Sequence, residues 1–153
     1  MAISGTVSDA NLTKMNNAVV EVDIIGTGVT WAAIESWANT VEPTRGKIPT
    51  STDPTLDGEK HLSVGQQDVS RVKVTLLYDE VATGPAANMY ALLGLPVDIR
   101  WSKDGDTGSL RYSTSGGKLI DCTAPGFSAS DNANSKIVLE IESANDIAVA
   151  AIA

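Results

Sequence analysis

Arg71-Val72-Lys73-Val74-Thr75-Leu76-Leu77-Tyr78 sets Val72, Val74, Leu76 and Tyr78 on one side of an extended chain and Arg71, Lys73 and Thr75 on the other. That two-residue period is the signature of a strand with one buried face. After Gly84-Pro85, the run Ala86-Ala87-Asn88-Met89-Tyr90-Ala91-Leu92-Leu93 suits a short helix. Pro85 is tolerated in its first turn, where a missing N–H costs little, and Gly94 and Pro96 stop it. Val97, Ile99 and Trp101 then resume the alternation of a strand. Strand, helix and strand joined by very short breaks carry no catalytic constellation, and point to packing and assembly.

Working outward, 153 residues are most simply one domain, large enough to bury roughly 70% of the surface an unfolded chain exposes. Apolar residues make up 42% of the chain, near the globular norm, whereas aromatic residues are only 5%. So low an aromatic content argues against a lectin-like platform or a base-stacking surface. Eleven basic residues against nineteen acidic ones leave a net charge of −8. Arg71, Lys73, Arg100, Lys103, Arg111 and Lys118 are dispersed among acids, so no basic cluster offsets the repulsion of a phosphate backbone. The lone Cys122 cannot form an intramolecular disulfide, and Met1-Ala2-Ile3-Ser4-Gly5 lacks the features of a signal peptide, so folding in a reducing cytoplasm is expected. No apolar run approaches the roughly 20 residues that span a bilayer. The apolar end Ile147-Ala148-Val149-Ala150-Ala151-Ile152-Ala153 is expected to dock, on this subunit or another.

Upstream, residues 1–16 read as an arm, and residues 18–25 as a strand with Val20, Val22 and Ile24 opposite Val19, Glu21, Asp23 and Ile25. Gly26-Thr27-Gly28 ends that strand. Residues 30–41, rich in Thr and Trp, are expected to be a strand, although Trp31, Ile34 and Trp37 also stand at a helical spacing. Residues 42–61 read EPTRGKIPTSTDPTLDGEKH and show no periodicity. A loop of that length inside a compact domain implies function or ordering by a partner. Downstream, an antiparallel meander is expected. Asp104-Gly105-Asp106-Thr107-Gly108 and Ser115-Gly116-Gly117 are its turns, residues 118–124 a strand, residues 129–135 the last turn, and residues 136–143 the closing strand. Residues 144–153 form a tail.

The chemical motifs resolve to bland readings. His61 is the only histidine, which excludes an HExxH zinc site, and no GxSxG surrounds a serine. Cys122, in the phase of Ile120, reads as a buried apolar thiol. Asp104-Gly105-Asp106 opens like a calcium loop, but Ser115 stands where the bidentate glutamate belongs. Gly26-Thr27-Gly28 lacks the remaining parts of a phosphate loop, and the sequon Asn11-Leu12-Thr13 has no meaning in a cytoplasmic protein. Glu21 with Asp23 and Glu140 with Glu142 stand at strand spacing and read as solvated faces. No catalytic, cofactor or metal residue is assigned.

The order of arm, strand, long loop, strand, short helix, hairpins and apolar tail resembles the tail tube (major tail) proteins of long-tailed bacteriophages. The residues carrying the likeness are Val72-Lys73-Val74-Thr75-Leu76-Leu77-Tyr78, the helix 84–93 with Gly94-Leu95-Pro96, and residues 117–127 before 137–142. The resemblance implies a mainly β fold, a β-sandwich or barrel-like pair of antiparallel sheets flanked by one short helix, with a long inter-subunit loop and extended termini. It implies hexameric rings stacked into a hollow tube in the virion tail, assembled in the host cytoplasm, with a tape-measure protein and a tail terminator as partners. It also implies that DNA would pass through without sequence-specific binding. Segment 42–61 would then be an inter-subunit arm carrying Pro43, Arg45, Lys47, Pro49, Thr52, Pro54 and Leu56, in the form of an extended hairpin. Because a basic bore would hold DNA that has to slide, Glu21, Asp23, Glu140 and Glu142 are lumen-facing candidates, with Asp98 a further one that shares its face with Arg100. Two rivals stand beside this reading. A monomeric carbohydrate- or ligand-binding β-sandwich would display exposed aromatics, and a small enzyme would need a base–nucleophile pair.

Overall fold

The structure is a computed structural model and describes residues 17–80, 82–130 and 135–153. These form β1 (Val19–Asp23), β2 (Ala32–Ala33), β3 (Ala38–Thr44), β4 (Thr50–Pro54), β5 (Lys60–Val64), β6 (Ser70–Leu77), α1 (Pro85–Tyr90), β7 (Asp98–Ser102), β8 (Leu110–Ser113), β9 (Lys118–Cys122), β10 (Lys136–Ser143) and β11 (Ala148–Ala151). A first sheet has the order β11-β8-β7-β1-β2, a second β3-β6-β10-β9, and β4-β5 stands apart as a two-stranded hairpin. Every pairing is antiparallel. Both large sheets are open, so the mainly β expectation resolves to a sandwich and not a closed barrel.

Alternation builds the core. Val72, Val74 and Leu76 of β6 and Ile137, Leu139 and Ile141 of β10 are buried, in register from Ser70 opposite Ser143 to Leu77 opposite Lys136. They meet Val20, Val22 and Ile99 of the first sheet, with Met89 of α1 in the same cluster. Each such side chain contributes on the order of 1.5–3 kcal/mol on burial. The helix begins with Pro85 in its first turn, as expected, and Asn88 donates through Nδ2 to the Gly84 carbonyl at 2.9 Å. It is shorter than the sequence implied because residues 91–94 form a turn, from which Gly94 donates to the Leu119 carbonyl at 2.7 Å. Leu119 in turn donates to the Leu95 carbonyl at 3.1 Å, so this stretch covers the outer edge of β9.

Several expectations need correction. Residues 30–41 are neither one strand nor a helix, since Trp37 and Ala38 both donate to the Ile34 carbonyl and close a turn before β3. The downstream strands are not a meander. At Ser115-Gly116-Gly117 the chain leaves β8 in the first sheet for β9 in the second, and β11 returns to pair with β8. Gly117 permits that crossing: a Cβ there would lie 2.8 Å from the Val97 carbonyl oxygen and 2.9 Å from Ile141. The phase assigned to β9 breaks at Ile120, although Cys122 does pack against the core as expected. Leu139 faces Cys122 and Ile141 faces Leu119, which leaves Ile120 as the extra residue of a bulge. Ile120 therefore points outward at 43% exposure while Leu119 is buried and Cys122 half-buried. The C-terminal segment docks on its own subunit, through Ala148–Ala151 paired with β8. The arm 1–16 with its sequon, and residues 131–134 of the last expected turn, lie outside the described residues.

Candidate assembly site

The segment expected to be an unpatterned loop is half strand. β3 continues through Thr44, so Glu42 and Pro43 belong to the second sheet, with Pro43 opposite Val72. Beyond it, residues 45–69 form a hairpin whose strands pair Thr50 with Val64, Thr52 with Leu62 and Pro54 with Lys60 on one side. Ser51 with Ser63 and Asp53 with His61 occupy the other, because directly opposed residues share a face. All ten residues of β4 and β5 are exposed. At the tip Thr55 donates to the Glu59 carbonyl at 2.8 Å, and the Thr55 hydroxyl bonds Asp57, which holds that carboxyl below its usual range. Leu56 is fully exposed there, and Ile48 and Leu62 are 52% and 68% exposed.

The root of the hairpin is tight. Gly46 donates to the Ser70 hydroxyl at 3.0 Å, Asp68 to the Lys47 carbonyl at 2.8 Å, and Gly65 to the Pro49 carbonyl at 2.7 Å. A Cβ on Gly46 would sit 1.8 Å from the Asp68 carbonyl oxygen, so only glycine lets the two legs approach. Arg45 reaches across to Asp146, just before β11, with Nε and NH2 donating at 2.8 and 2.6 Å. Gln67 on the other leg donates through Nε2 to Gly46 O at 2.8 Å and to Asp146 at 3.1 Å. The Arg45 hydrogen bond is the main reason that the Asp146 carboxyl is lowered to about 2. One carboxylate thus ties both legs of the hairpin to the C-terminal strand. Sequence reading named Arg45 but missed Asp146 and Gln67, which are far away in sequence and marked by no local pattern.

Of the expected arm residues, Lys47, Pro49, Thr52, Pro54 and Leu56 lie on the hairpin, Arg45 at its root, and Pro43 in the sandwich body. The acidic candidates do not form one face. Asp23 is buried and accepts from the backbone N–H of Ile25 and Gly26, each at 3.0 Å, and of Gly28. It holds the turn after β1 and presents no charge outward, which corrects its assignment to an acidic outer face. Asp98 is buried too, accepting from Thr114 at 3.0 Å and Gly117 N at 2.8 Å. Glu21 lies on the outer side of the first sheet, bonded by Arg100 at 3.0 and 3.1 Å, with the guanidinium 4.4 Å over Trp31. Glu140 and Glu142 lie on the opposite outer side, that of the second sheet, where Arg71 bridges them at 3.9 and 3.2 Å and Lys73 stands opposite Glu140. The acids are thus interleaved with bases on both sides.

His61 is exposed on β5 with Glu59 at 4.0 Å, and burial raises the Cys122 thiol above its ordinary value, which favours the unreactive protonated form. Among the described residues no group of three His, Cys, Asp or Glu is placed to hold a metal ion, and no helix is long and apolar enough to cross a membrane.

No protein-family model matches the chain, and no curated protein matches its sequence. Solved structures do match. A chain of the sheath–tube complex of an extracellular contractile injection system in its extended state superposes with a TM-score of 0.69 at 16% identity, over 96% of this chain and 100% of that one. A chain of the sheath/tube terminator of such a system gives 0.68 at 17% identity, over 98% and 100%. A chain from the tail of an empty gene transfer agent particle, refined with C6 symmetry, gives 0.55 at 14% identity, over 87% and 95%. At such identities the likeness is one of fold. This is the fold of tail-tube-type components, and these neighbours form a broader set than the long-tailed bacteriophages that the sequence resembles.

Proposed function

We propose that this chain is a structural tail protein that polymerises as stacked hexameric rings into a tube, the conduit for genome delivery. The observation that carries the reading is the projecting hairpin, whose Ile48, Leu56, Leu62 and Val64 side chains find no cover in a lone copy. It stands on a body that shares its fold, nearly end to end, with a chain of a sheath–tube complex. A two-stranded hairpin is marginal by itself in water, so so long an exposed one calls for a partner. In the assembled tail that partner is a second copy, and residues 45–69 act as the inter-subunit arm. The tube resides in the virion tail after assembly in the host cytoplasm, bounded by a terminator and measured by a tape-measure protein. No catalysis is assigned to it.

Only one outer side of the sandwich can line the bore. Glu140 and Glu142 mark one choice and Glu21 the other, and in both the acids are paired with arginine. Such a wall is mixed in charge, weakly attractive to a sliding duplex. Replacing Glu140 and Glu142 by lysine should leave tubes intact and slow DNA ejection if the second sheet faces the bore; an unchanged ejection rate assigns the bore to the other side.

The rival reading, a monomeric ligand-binding module, has the 86% exposed Phe127 and 60% exposed Tyr90 in its favour. Light scattering and electron microscopy of the purified chain decide between the two. Rings or tubes at high concentration support assembly. A particle of one chain mass in every salt condition refutes it.

A further inference from the structure

The hairpin has two unlike sides, and the sandwich has two unlike ends. On one side of the hairpin Leu62 and Val64 stand in a row with Thr50, Thr52, Pro54 and Lys60; the other side carries Ser51, Ser63, Asp53 and His61. The first side is an apolar strip ending in one ammonium group, with Leu62 68% and Val64 70% exposed. The hairpin leaves the body beside Ser70, the first residue of β6. At the last residue of the same strand, Leu77, a groove of about 760 Å³ opens, lined by Trp37, Tyr78, Asp79, Glu80 and Phe127. Phe127 is 86% exposed, and neither Asp79 nor Glu80 has an ion-pair partner among the described residues.

Resting on the assembly reading above, we propose that this groove receives the Lys60–Leu62–Val64 side of the hairpin from a second copy of the chain. Three observations fix the occupant. The charges are complementary, one ammonium facing two carboxylates. The apolar parts are complementary as well: Leu62 and Val64 lack cover, and Phe127 and Trp37 offer an aromatic wall. Finally, donor and acceptor lie at opposite ends of β6, a strand of 8 residues, hence about 25 Å apart. A surface at one end that fits a different surface at the other makes a head-to-tail contact, which repeats without closing into a dimer. Stacking copies along the direction of β6 joins every hairpin to the groove of the next copy. The polar side, with His61 and Asp53, remains toward solvent.

The test uses the full-length chain and reads polymer growth by light scattering, with circular dichroism to verify folding. Lys60→Glu should raise the concentration needed for growth by about tenfold or more, as loss of one partly desolvated ion pair implies. Asp79→Lys with Glu80→Lys should do the same. Combining the three substitutions should restore growth. His61→Glu, on the other side of the hairpin, should leave growth unchanged. In a Cys122→Ser background, Leu62→Cys with Phe127→Cys should give a ladder of cross-linked multimers with a short bis-maleimide, whereas Leu62→Cys with Tyr112→Cys should give none. Tubes whose growth ignores these charges, or a ladder from the Tyr112→Cys pair instead, overturn the inference and leave the assembly reading standing. A wild-type chain that never polymerises overturns both.

Discussion

The β6–β10 pair and the β4–β5 pair are built from the same antiparallel ladder, yet they are opposite in what holds them. In β6 and β10 every second side chain is buried in the core, and the pairing runs through eight residues on each strand. In β4 and β5 no side chain is buried, and the five pairs rely on backbone hydrogen bonds, a tight root and prolines that limit the freedom of the unfolded chain. Backbone pairing is therefore not what separates body from arm; the presence of a covering surface is. The body carries its cover within one chain, and the hairpin is left exposed by the described residues.

The largest expected break in that comparison is truncation of the same residue type in both places. Leu139→Ala, in the buried row of β10, should cost about 2–5 kcal/mol of unfolding free energy. Leu62→Ala on the hairpin should change the stability of the isolated chain by less than about 0.5 kcal/mol. Urea denaturation of dilute protein reads both, and comparable losses would mean that the hairpin is already covered in one copy. A smaller effect is expected at the root. Gly46→Ala places a methyl against the Asp68 backbone oxygen, which has no rotamer by which to retreat, so the legs must part. A cost of about 1–3 kcal/mol is expected, with proteolytic cleavage appearing within residues 45–69 while amide exchange of β6 and β10 stays slow.

The same contrast explains what could be read from the sequence. β10 was legible to the residue because Ile137, Leu139 and Ile141 alternate over one buried side, and β6 for the same reason to within one residue at each end. The hairpin was legible as an extended arm but not in its strand bounds or register, since strands exposed on both sides carry no apolar period. β9 was misphased by a single bulged residue, Ile120, which no local signal marks. Ser115-Gly116-Gly117 looks like any hairpin turn, and only the packing of two sheets makes it a crossing. Asp23 followed its strand's alternation onto an outer face, but at the strand's end its short carboxylate turns to bind the backbone of the following loop. At the candidate site, Arg45 and the exposed prolines were within reach of sequence reasoning. Asp146 and Gln67 required the chain's return from residues 101 and 22 positions away from Arg45.

The smallest expected effect concerns that return. Asp146 is lowered to about 2, chiefly by the Arg45 hydrogen bond with Gln67 assisting. An unperturbed aspartate titrates near 3.9. A carboxyl depressed in the folded state lends stability that is fully present above the unfolded value and is lost as pH falls through the folded one. The tie between hairpin and β11 should therefore hold at pH 4 and above, and come apart only as the pH approaches about 2. Because the Arg45 side chain is 70% exposed and that of Asp146 only half-buried, solvent screens the pair and global stability should barely register its loss. The local signature is the sharper one. An NMR titration of the Asp146 carboxyl should show a midpoint near 2 in the wild type, rising toward about 3.9 in Arg45→Met. In Asp146→Asn, amide exchange should quicken at Gly46, Asp68 and β11 together, at neutral pH, with β10 unaffected. Faster exchange in β11 alone would show that the carboxylate serves the C-terminal strand and not the arm.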